Sequence, residues 1–249
     1  MGSRGLCKEV RPGLILRVHP AAWRRSFRAF AVGGYCAEEL DAFLSTAHPG
    51  MCLVDVGASY GMFALVALSY PDAHVIAVEP AVRPANVLRR QAVLNGGSGR
   101  LRVVEAVAGD RDGLTFMDLG SPEWYKEALN PEAGVAVPSV RLDTLVETLA
   151  LMPTHLKIDV EGDELCVLRG ARRVLTVWKP IVHLEIHNEF LAAKGLDPLT
   201  VPAFLEELGY EERWRSEERI GGRLFIARTQ WHHRSNFGTG AVRPSNGGT

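Results

Sequence analysis

Apolar runs alternate with helical patterns along most of the chain. Runs bounded by Gly, Pro or acidic residues predict strands at 51–56, 74–78, 101–107, 154–159 and 181–186. Patterns of helical period predict helices at about 38–47, 60–70, 83–94, 161–176 and 200–208. Strands and helices that alternate in this way are typical of a parallel, doubly wound α/β sheet.

The C-terminal part of the chain has a different pattern. The stretch YEERWRSEERIGGRLFIAR indicates two strands around Gly221 and Gly222, and a Gly-Gly turn favours an antiparallel hairpin. From about Ser235 the sequence is rich in Gly, Ser and Asn, which predicts a flexible tail. The expected division is a basic extension with a lid, a core and a tail, at residues 1–50, 51–230 and 231–249.

One long connection, from Asp118 to Val140, is predicted to be irregular. Loops of this length in compact domains tend to be functional covers or disordered segments. Trp124 and Tyr125 fit a cover over a site, and they fit equally well as anchors that hold the loop to the core.

The charge of the chain is balanced overall but uneven along its length. The 249 residues have a formal net charge of -1, which gives no general indication of a polyanionic partner. Residues 1–30, however, hold seven Lys or Arg and one Glu, and Trp23, Phe27 and Phe30 lie at helical spacing among them. This pattern predicts a short amphipathic lid helix, with contact to RNA or a membrane surface as the alternative.

The remaining global signals point to a cytoplasmic protein. The four cysteines form no C-x-x-C pair, which favours reduced, structural thiols. No apolar stretch approaches the roughly 20 residues of a spanning helix, and no secretory pattern is evident at the start. A homodimer is among the expected states.

The stretch LVDVGASYGMFALVAL places a glycine turn between the first core strand and its helix. Aligned on Gly57, the dinucleotide pattern G-x-G-x-x-G would need glycine at Ser59 and Met62, so a bound NAD is disfavoured. The pattern that remains is D-x-G-x-x-x-G, with Gly61 predicted to let a ligand lie against bare backbone. Asp55 beside the turn favours a cationic ligand, such as the sulfonium and ammonium of S-adenosylmethionine.

A second acid supports this interpretation. Glu79 ends the next strand, in VIAVEP, at the position where a carboxylate can accept hydrogen bonds from both hydroxyls of a ribose. Asp55 and Glu79 together predict a nucleoside-containing cation.

Acids and a histidine follow the fourth and fifth strands. Asp159, Glu161, Glu185 and His187 are expected to gather beyond the strand ends, and Lys157 could pair with Asp159. O-methylation needs a base for the acceptor hydroxyl, and His187 and Asp159 are the candidates. Alternatively, Asp159, Glu185 and His187 hold a divalent cation such as Mg²⁺. Glu161 could instead stabilise a helix N-terminus, and His187 could be structural.

The stretches VDVGASYG, AVEP, AVAGDRDG, VRLDTLV, LKIDVEG and LEIH resemble the FkbM-type S-adenosylmethionine-dependent methyltransferases, from about Glu39 to Arg228. The resemblance implies a class I methyltransferase (Rossmann-like) fold, whose seven-stranded, mainly parallel sheet ends in a C-terminal antiparallel hairpin. Ser59 stands where the family often has Asn. The implied cofactor-binding residues are Asp55, Gly57, Ala58, Ser59, Gly61, Glu79, Pro80, Val107 and Ala108.

The function that the resemblance implies is methyl transfer to a hydroxyl of a small molecule, such as a sugar, a polyketide or another natural product. The basic N-terminus keeps RNA methylation as an alternative, although nucleic acid is not the expected partner. A cofactor-binding subunit without activity, and an NAD-linked oxidoreductase, are further alternatives.

Overall fold

The computed structural model describes residues 5–118, 126–127 and 134–236. In chain order the strands are β1 (Leu6–Arg11), β2 (Leu14–Val18), β3 (Cys52–Val56), β4 (His74–Val78), β5 (Leu101–Val104), β6 (Val107–Ala108), β7 (Gly113–Asp118), β8 (Lys126–Glu127), β9 (Val135–Val140), β10 (His155–Ile158), β11 (Ile181–His187), β12 (Tyr210–Ile220) and β13 (Arg223–His233).

Most helices follow strands, as the alternating pattern predicts. The α-helices are α1 (Pro20–Ala22), α2 (Arg28–Phe30), α3 (Ala37–Leu44), α4 (Met62–Leu68), α5 (Val82–Leu94), α6 (Leu142–Thr148), α7 (Glu164–Gly170), α8 (Arg172–Val177), α9 (Asn188–Ala193) and α10 (Thr200–Glu207). A π-helical turn, Trp23–Phe27, joins α1 to α2, and 3-10 turns lie at Ser98–Arg100 and Arg234–Asn236. Across the described residues, no helix is both long enough and apolar enough to span a bilayer.

The central sheet has seven strands in the order β12-β13-β11-β10-β3-β4-β5. All neighbours are parallel except β13, which is antiparallel to both β11 and β12. The order reverses at β3, so the ends of β3 and β10 border a crevice of the kind that binds ligands in open α/β sheets. The predicted doubly wound sheet with its terminal hairpin is confirmed.

Buried side chains cover both faces of this sheet. On one face, the core is built on α6, α7, α8 and α10. On the other, α4 and α5 pack together with the N-terminal segment, and the ring of Phe63 makes edge-to-face contacts with Phe30 and Phe43 at 5.4 and 5.2 Å. The N-terminal residues therefore belong to the core of the protein.

The N-terminal segment contains more structure than the predicted helix. Phe27 is buried and Trp23 and Phe30 are half-buried, which confirms an amphipathic helical segment. Before it, β1 and β2 form an antiparallel hairpin around Gly13, whose φ of 79° suits glycine. The sequence does not reveal this hairpin, because apolar residues such as Leu6 and Ile15 occupy exposed positions and blur the apolar–polar alternation.

Two predicted elements are divided in the structure. The strand expected at 101–107 ends at Val104, because Val107 and Ala108 pair with β9 in a second sheet. The helix expected at 161–176 breaks between α7 and α8. Gly170 is at this break, where a Cβ would lie 1.9 Å from the carbonyl oxygen of Gly109, so the chain passes too close for a side chain.

The predicted irregular connection is partly a sheet. Strands β6, β9, β7 and β8 form a separate four-stranded sheet, and β9 occupies the last residues of the expected loop. The side chains of Met117 and Val137 are buried, but Leu114, Phe116 and Val135 are exposed, so these strands lack the apolar–polar alternation that would have indicated them in the sequence. Trp124 and Tyr125 lie outside the described residues. Strand β13 continues through the buried Trp231 to His233, so residues 231–233 belong to the sheet and not to the tail predicted for 231–249.

Candidate functional site

A cleft of about 800 Å³ opens at the carboxyl ends of β3, β4, β10 and β11. The N-terminal segment and the terminal hairpin form its outer walls. The predicted site residues that line it are Asp55, Gly57, Ala58, Ser59, Glu79, Pro80, Val107, Ala108, Lys157, Asp159, Glu161, Glu185 and His187. One predicted residue, Gly61, is not part of its lining.

The turn after β3 is held on both sides by backbone. Gly57 has a φ of 74°, and a Cβ there would lie 1.8 Å from the carbonyl oxygen of Asp159. The N–H groups of Gly57 and Ala58 both donate to the carbonyl of Val78, at 3.0 and 3.2 Å. Glycine is therefore required at position 57, because the backbone after β10 lies against the turn. The N–H groups of Gly57 and Ala58 are already used within the protein.

Gly61 has a different role from the predicted one. Its φ is 83°, and a Cβ would lie 2.2 Å from Cδ1 of Leu88 on α5. The missing side chain makes room for Leu88, so Gly61 sets how closely α5 packs on α4. It does not present bare backbone to the cleft.

Asp55 is a buried carboxylate with a free acceptor. It is 2% exposed, and its Oδ2 has no hydrogen-bond partner within the described part of the chain. Burial raises the pKa of Asp55 to about 6, although the charge of Lys157 and a hydrogen bond from the Ala64 backbone act in the opposite direction. Because Asp55 lines the cleft, a cationic or hydrogen-bond-donating ligand would satisfy this oxygen.

Glu79 is held in a fixed orientation by backbone donors. Its Oε2 accepts from the N–H of Ser59 at 2.7 Å, and its Oε1 accepts from the N–H of Ala81 at 2.8 Å. Burial raises the pKa of Glu79 to about 7. A carboxylate oxygen has two acceptor sites, so each still has capacity for a ligand hydroxyl. Ser59 contributes to this arrangement through its left-handed backbone, with a φ of 49°.

Asp159, Glu161 and His187 form a compact group, which we call the Asp–Glu–His group. The Nε2 of His187 lies 3.8 Å from Asp159 Oδ1 and 3.6 Å from Glu161 Oε2. On the other side of the ring, Nδ1 is 2.7 Å from Oε1 of Glu164. Glu164 is completely buried and was not among the predicted residues, although it belongs to the same acidic stretch, VEGDE.

The protonation of the Asp–Glu–His group differs from the expected one. Burial disfavours the charged form of His187, but the hydrogen bond to Glu164 and the charges of Asp159 and Glu161 outweigh it and raise the pKa of His187 to about 9. At neutral pH the ring is therefore mainly an imidazolium in the protein alone, which does not suit the predicted role of a base. Burial and the neighbouring Glu185 raise the pKa of Asp159.

Lys157 and Glu185 belong to a buried network of charges. The Nζ of Lys157 lies 2.9 Å from Glu39 and 3.2 Å from Glu185, and Nε of Arg228 lies 3.5 and 3.4 Å from the same two carboxylates. Lys157 thus pairs with Glu39 and Glu185, and not with Asp159 as the alternation suggested. Burial opposes ionisation of Glu185, but Lys157 and Arg228 prevail and lower the pKa of Glu185 to about 2.

Two members of this network, Glu39 and Arg228, were missed as site residues. In the helical pattern at 38–47, Glu39 lies beside the apolar Leu40 and Phe43, where a solvated charge is not expected. A charged residue at that position was the sequence signal for a buried ion pair. Glu185 forms ion pairs with Lys157 and Arg228 at the floor of the cleft. Its carboxylate is therefore structural and is not available as a base or a metal ligand.

Comparison with known proteins identifies a related domain. The family model described as the methyltransferase FkbM domain matches residues 55–212. No curated protein matches the sequence.

Two solved structures share the fold. Methyltransferase FkbM from Methylobacillus flagellatus KT is 17% identical, with a TM-score of 0.52, and the match covers 86% of this chain and 56% of that one. An rRNA methylase from Streptococcus thermophilus is 8% identical, with a TM-score of 0.51, and the match covers 79% of this chain and 94% of that one. This chain therefore spans little more than half of the Methylobacillus protein, and at these identities the likeness shows the fold alone.

Proposed function

This chain belongs to the FkbM-domain family of S-adenosylmethionine-dependent methyltransferases, and we propose that it methylates a hydroxyl oxygen of a small molecule. The proposed acceptors are sugars, polyketides or other natural products. The observation that carries the proposal is the pair of buried carboxylates, Asp55 and Glu79, at neighbouring strand ends of one cleft.

The residues of the cleft fit S-adenosylmethionine. Asp55 offers an unpartnered oxygen that suits a cationic group. Glu79 is held by two backbone donors in a way that leaves acceptor sites for a ribose diol. Pro80, Val107 and Ala108 supply apolar surface for a flat ring. When bound, S-adenosylmethionine supplies an electrophilic methyl group on its sulfonium.

Asp159 is the best-placed acceptor for the hydroxyl proton. Its side chain is 34% exposed and lines the cleft, whereas Glu185 is held by Lys157 and Arg228. A general base contributes roughly 3 to 5 kcal/mol, corresponding to 10² to 10⁴ in rate. Holding the hydroxyl in an in-line geometry contributes roughly 7 to 11 kcal/mol. The walls of the cleft should therefore matter more for rate than the base.

The outer walls favour a small acceptor with apolar surface. Phe30 and Tyr35 come from the N-terminal segment, and Phe225 and Ile226 come from the terminal hairpin. Aromatic side chains on both walls can enclose a ring or an acyl chain between them. Arg24 at the same opening provides one positive group for a polar substituent.

The test of the cofactor site is calorimetric titration with S-adenosylhomocysteine. We expect Glu79→Ala to weaken binding at least tenfold, about 1.4 kcal/mol. Glu207→Ala is the control, since Glu207 is exposed and pairs with Arg172 on the surface. Equal affinities in the two variants would contradict the assignment of the site.

The chemistry is then tested by an acceptor screen. Asp159→Asn should keep its affinity for S-adenosylhomocysteine and lose most of its turnover, because it changes the side chain that takes the proton and leaves Asp55 and Glu79 intact. Full turnover in this variant would remove Asp159 from the mechanism. A wild-type protein that binds S-adenosylhomocysteine and methylates no acceptor would favour a subunit without activity.

RNA methylation is the second candidate, favoured by Arg24 and Arg25 at the cleft opening. Phosphate contacts release counterions, so RNA binding would weaken steeply as salt rises. Binding that is absent or independent of salt would eliminate this candidate.

A further inference from the structure

We propose that Asp159, Glu161 and His187 form a binding site for one divalent metal ion at the floor of the cleft. The role of the ion in methyl transfer rests on the proposed function. Its binding does not, because the site is defined by the positions of the three side chains. One donor atom from each residue lies within 4.8 Å of the other two.

The spacing of the donor atoms suits a shared ion better than direct contact. The Nε2 of His187 is 3.6 and 3.8 Å from the two carboxylate oxygens, beyond the length of a good hydrogen bond. A Mg²⁺, Mn²⁺ or Zn²⁺ ion binds its ligands at roughly 2.0 to 2.2 Å, so two ligands of one ion lie up to about 4.2 Å apart. The two measured gaps, from His187 to each carboxylate, therefore lie within the span of one ion's ligands.

The orientation of the His187 ring is fixed by contacts on the side away from the proposed ion. Its side chain is 5% exposed, and its Nε2 lies on the side of the two carboxylates. Its Nδ1 is 2.7 Å from Oε1 of the completely buried Glu164, an atom that also accepts from the N–H of Gly162 at 3.0 Å. The ring also stacks on Phe190, at 5.7 Å between centroids. A carboxylate that fixes the far nitrogen of an imidazole is the usual support for a histidine metal ligand. The ion would take the place of the Nε2 proton that the ring carries in the protein alone, because a ligating imidazole is neutral.

The ligand set differs from the one expected from the sequence, which contained Glu185 in place of Glu161. Glu185 is 3.2 Å from Lys157 and 3.4 Å from Arg228, so its charge is already neutralised. Glu161 lies in the turn after β10 and brings its carboxylate to the cleft. Its side chain is only 19% exposed, which distinguishes it from a solvated surface acid.

The donor set also indicates the class of ion and its use. Two carboxylates and one imidazole suit Mn²⁺, Mg²⁺ or Zn²⁺. Three protein ligands leave coordination positions open on the cleft side, where an acceptor hydroxyl can bind. A hydroxyl bound to a divalent ion has a lowered pKa. Asp159 would bind the ion through one carboxylate oxygen and take the hydroxyl proton with the other, and the oxygen left behind would attack the methyl group.

The direct test measures metal binding by the full chain. The protein is first freed of metal with a chelator and then titrated with Mn²⁺, and free Mn²⁺ is followed by electron paramagnetic resonance. We expect one Mn²⁺ per chain, displaced by excess Mg²⁺ or Zn²⁺, and at least tenfold weaker binding in Glu161→Gln. Glu189→Gln is the matched control, because Glu189 is exposed on α9 two residues from His187. No stoichiometric Mn²⁺ in the wild type, or equal affinity in the two variants, would overturn the proposal.

Titration of the same samples with S-adenosylhomocysteine separates the two proposals. It also shows that Glu161→Gln is folded, because the cofactor carboxylates Asp55 and Glu79 are unchanged. Cofactor binding without Mn²⁺ binding would reject the metal site alone. Mn²⁺ binding without cofactor binding would reject the proposed function and leave the metal site standing.

Discussion

Two glycines with the same φ allow a quantitative test of the turn after β3. Gly57 and Gly50 both have a φ of 74°, which L-residues rarely adopt. A Cβ at Gly50 would meet nothing within 4 Å, whereas a Cβ at Gly57 would lie 1.8 Å from the carbonyl oxygen of Asp159. The same substitution to alanine at both positions therefore isolates the cost of the close approach.

The magnitudes follow from these contacts. Alanine in the left-handed region costs about 1 to 2 kcal/mol, which is the whole expected effect of Gly50→Ala. Gly57→Ala adds an overlap with backbone that cannot rotate away, worth about 1 to 3 kcal/mol more by analogy with overpacked cores. Real Cβ contacts are rarely shorter than 3.0 Å, so the Asp159 carbonyl must retreat by about 1.2 Å.

The displacement should also reach the proposed chemistry. Because the Asp159 side chain lies in the cleft, movement of its backbone by about 1 Å can reduce turnover by as much as roughly 10²-fold. Urea denaturation followed by tryptophan fluorescence gives the two unfolding free energies, and an acceptor assay gives the rates. If Gly57→Ala and Gly50→Ala differed by less than about 0.5 kcal/mol, within the error of additivity, the argument from the close approach would be refuted.

Three further predictions concern packing and charge elsewhere in the fold. Gly61→Ala should cost about 1 to 2 kcal/mol for its left-handed φ of 83° and about 1 to 3 kcal/mol for the overlap with Leu88. Leu88→Ala should relieve only the second part, so a double-mutant cycle by urea denaturation should show coupling of at least 0.5 kcal/mol; additive effects would contradict the packing role. Burial, reinforced by His48, lowers the pKa of His155 to about 4. The neutral ring therefore stabilises the fold above the unfolded pKa of about 6.5, and wild type should lose about 3 kcal/mol more than His155→Phe between pH 7 and pH 4; parallel pH profiles would contradict this. Tyr210→Phe removes a hydrogen bond to the Leu175 carbonyl and should lower the unfolding free energy by about 1 kcal/mol, measured by the same denaturation, with unchanged affinity for S-adenosylhomocysteine.

That Asp55 and Glu79 line one cleft could be predicted from the sequence because the signals are local. Asp55 and Glu79 each end an apolar strand, and parallel strands bring their ends to one edge of the sheet. The role of Gly61 could not be predicted in the same way. A glycine that makes room for a ligand and a glycine that makes room for Leu88 look identical in the sequence. Only the packing of α5 distinguishes the two roles.

The charge network shows a second limit of sequence reasoning. Alternation along one strand placed Lys157 beside Asp159, but the partners of a buried lysine come from whichever elements pack above it. Here they are Glu39 from α3 and Glu185 from β11. Pairing across 118 residues of chain leaves no periodic signal. The same reasoning explains why β9 was missed, since its pairing with β7 and β6 is settled by tertiary contacts.

The cleft is assembled from two parts of the chain with different relations to the family. The match to the methyltransferase domain covers 55–212, which contains both proposed cofactor carboxylates and the Asp–Glu–His group. The opposing walls come from outside it, with Phe30 and Tyr35 on one side and Phe225 and Arg228 on the other. If the shared domain holds the methyl donor, then these flanking segments set the shape in which an acceptor must fit. We therefore expect substitutions such as Tyr35→Ala to change which acceptors are methylated while leaving the affinity for S-adenosylhomocysteine unchanged, and a loss of cofactor affinity in that variant would show that the two parts of the cleft are not separable.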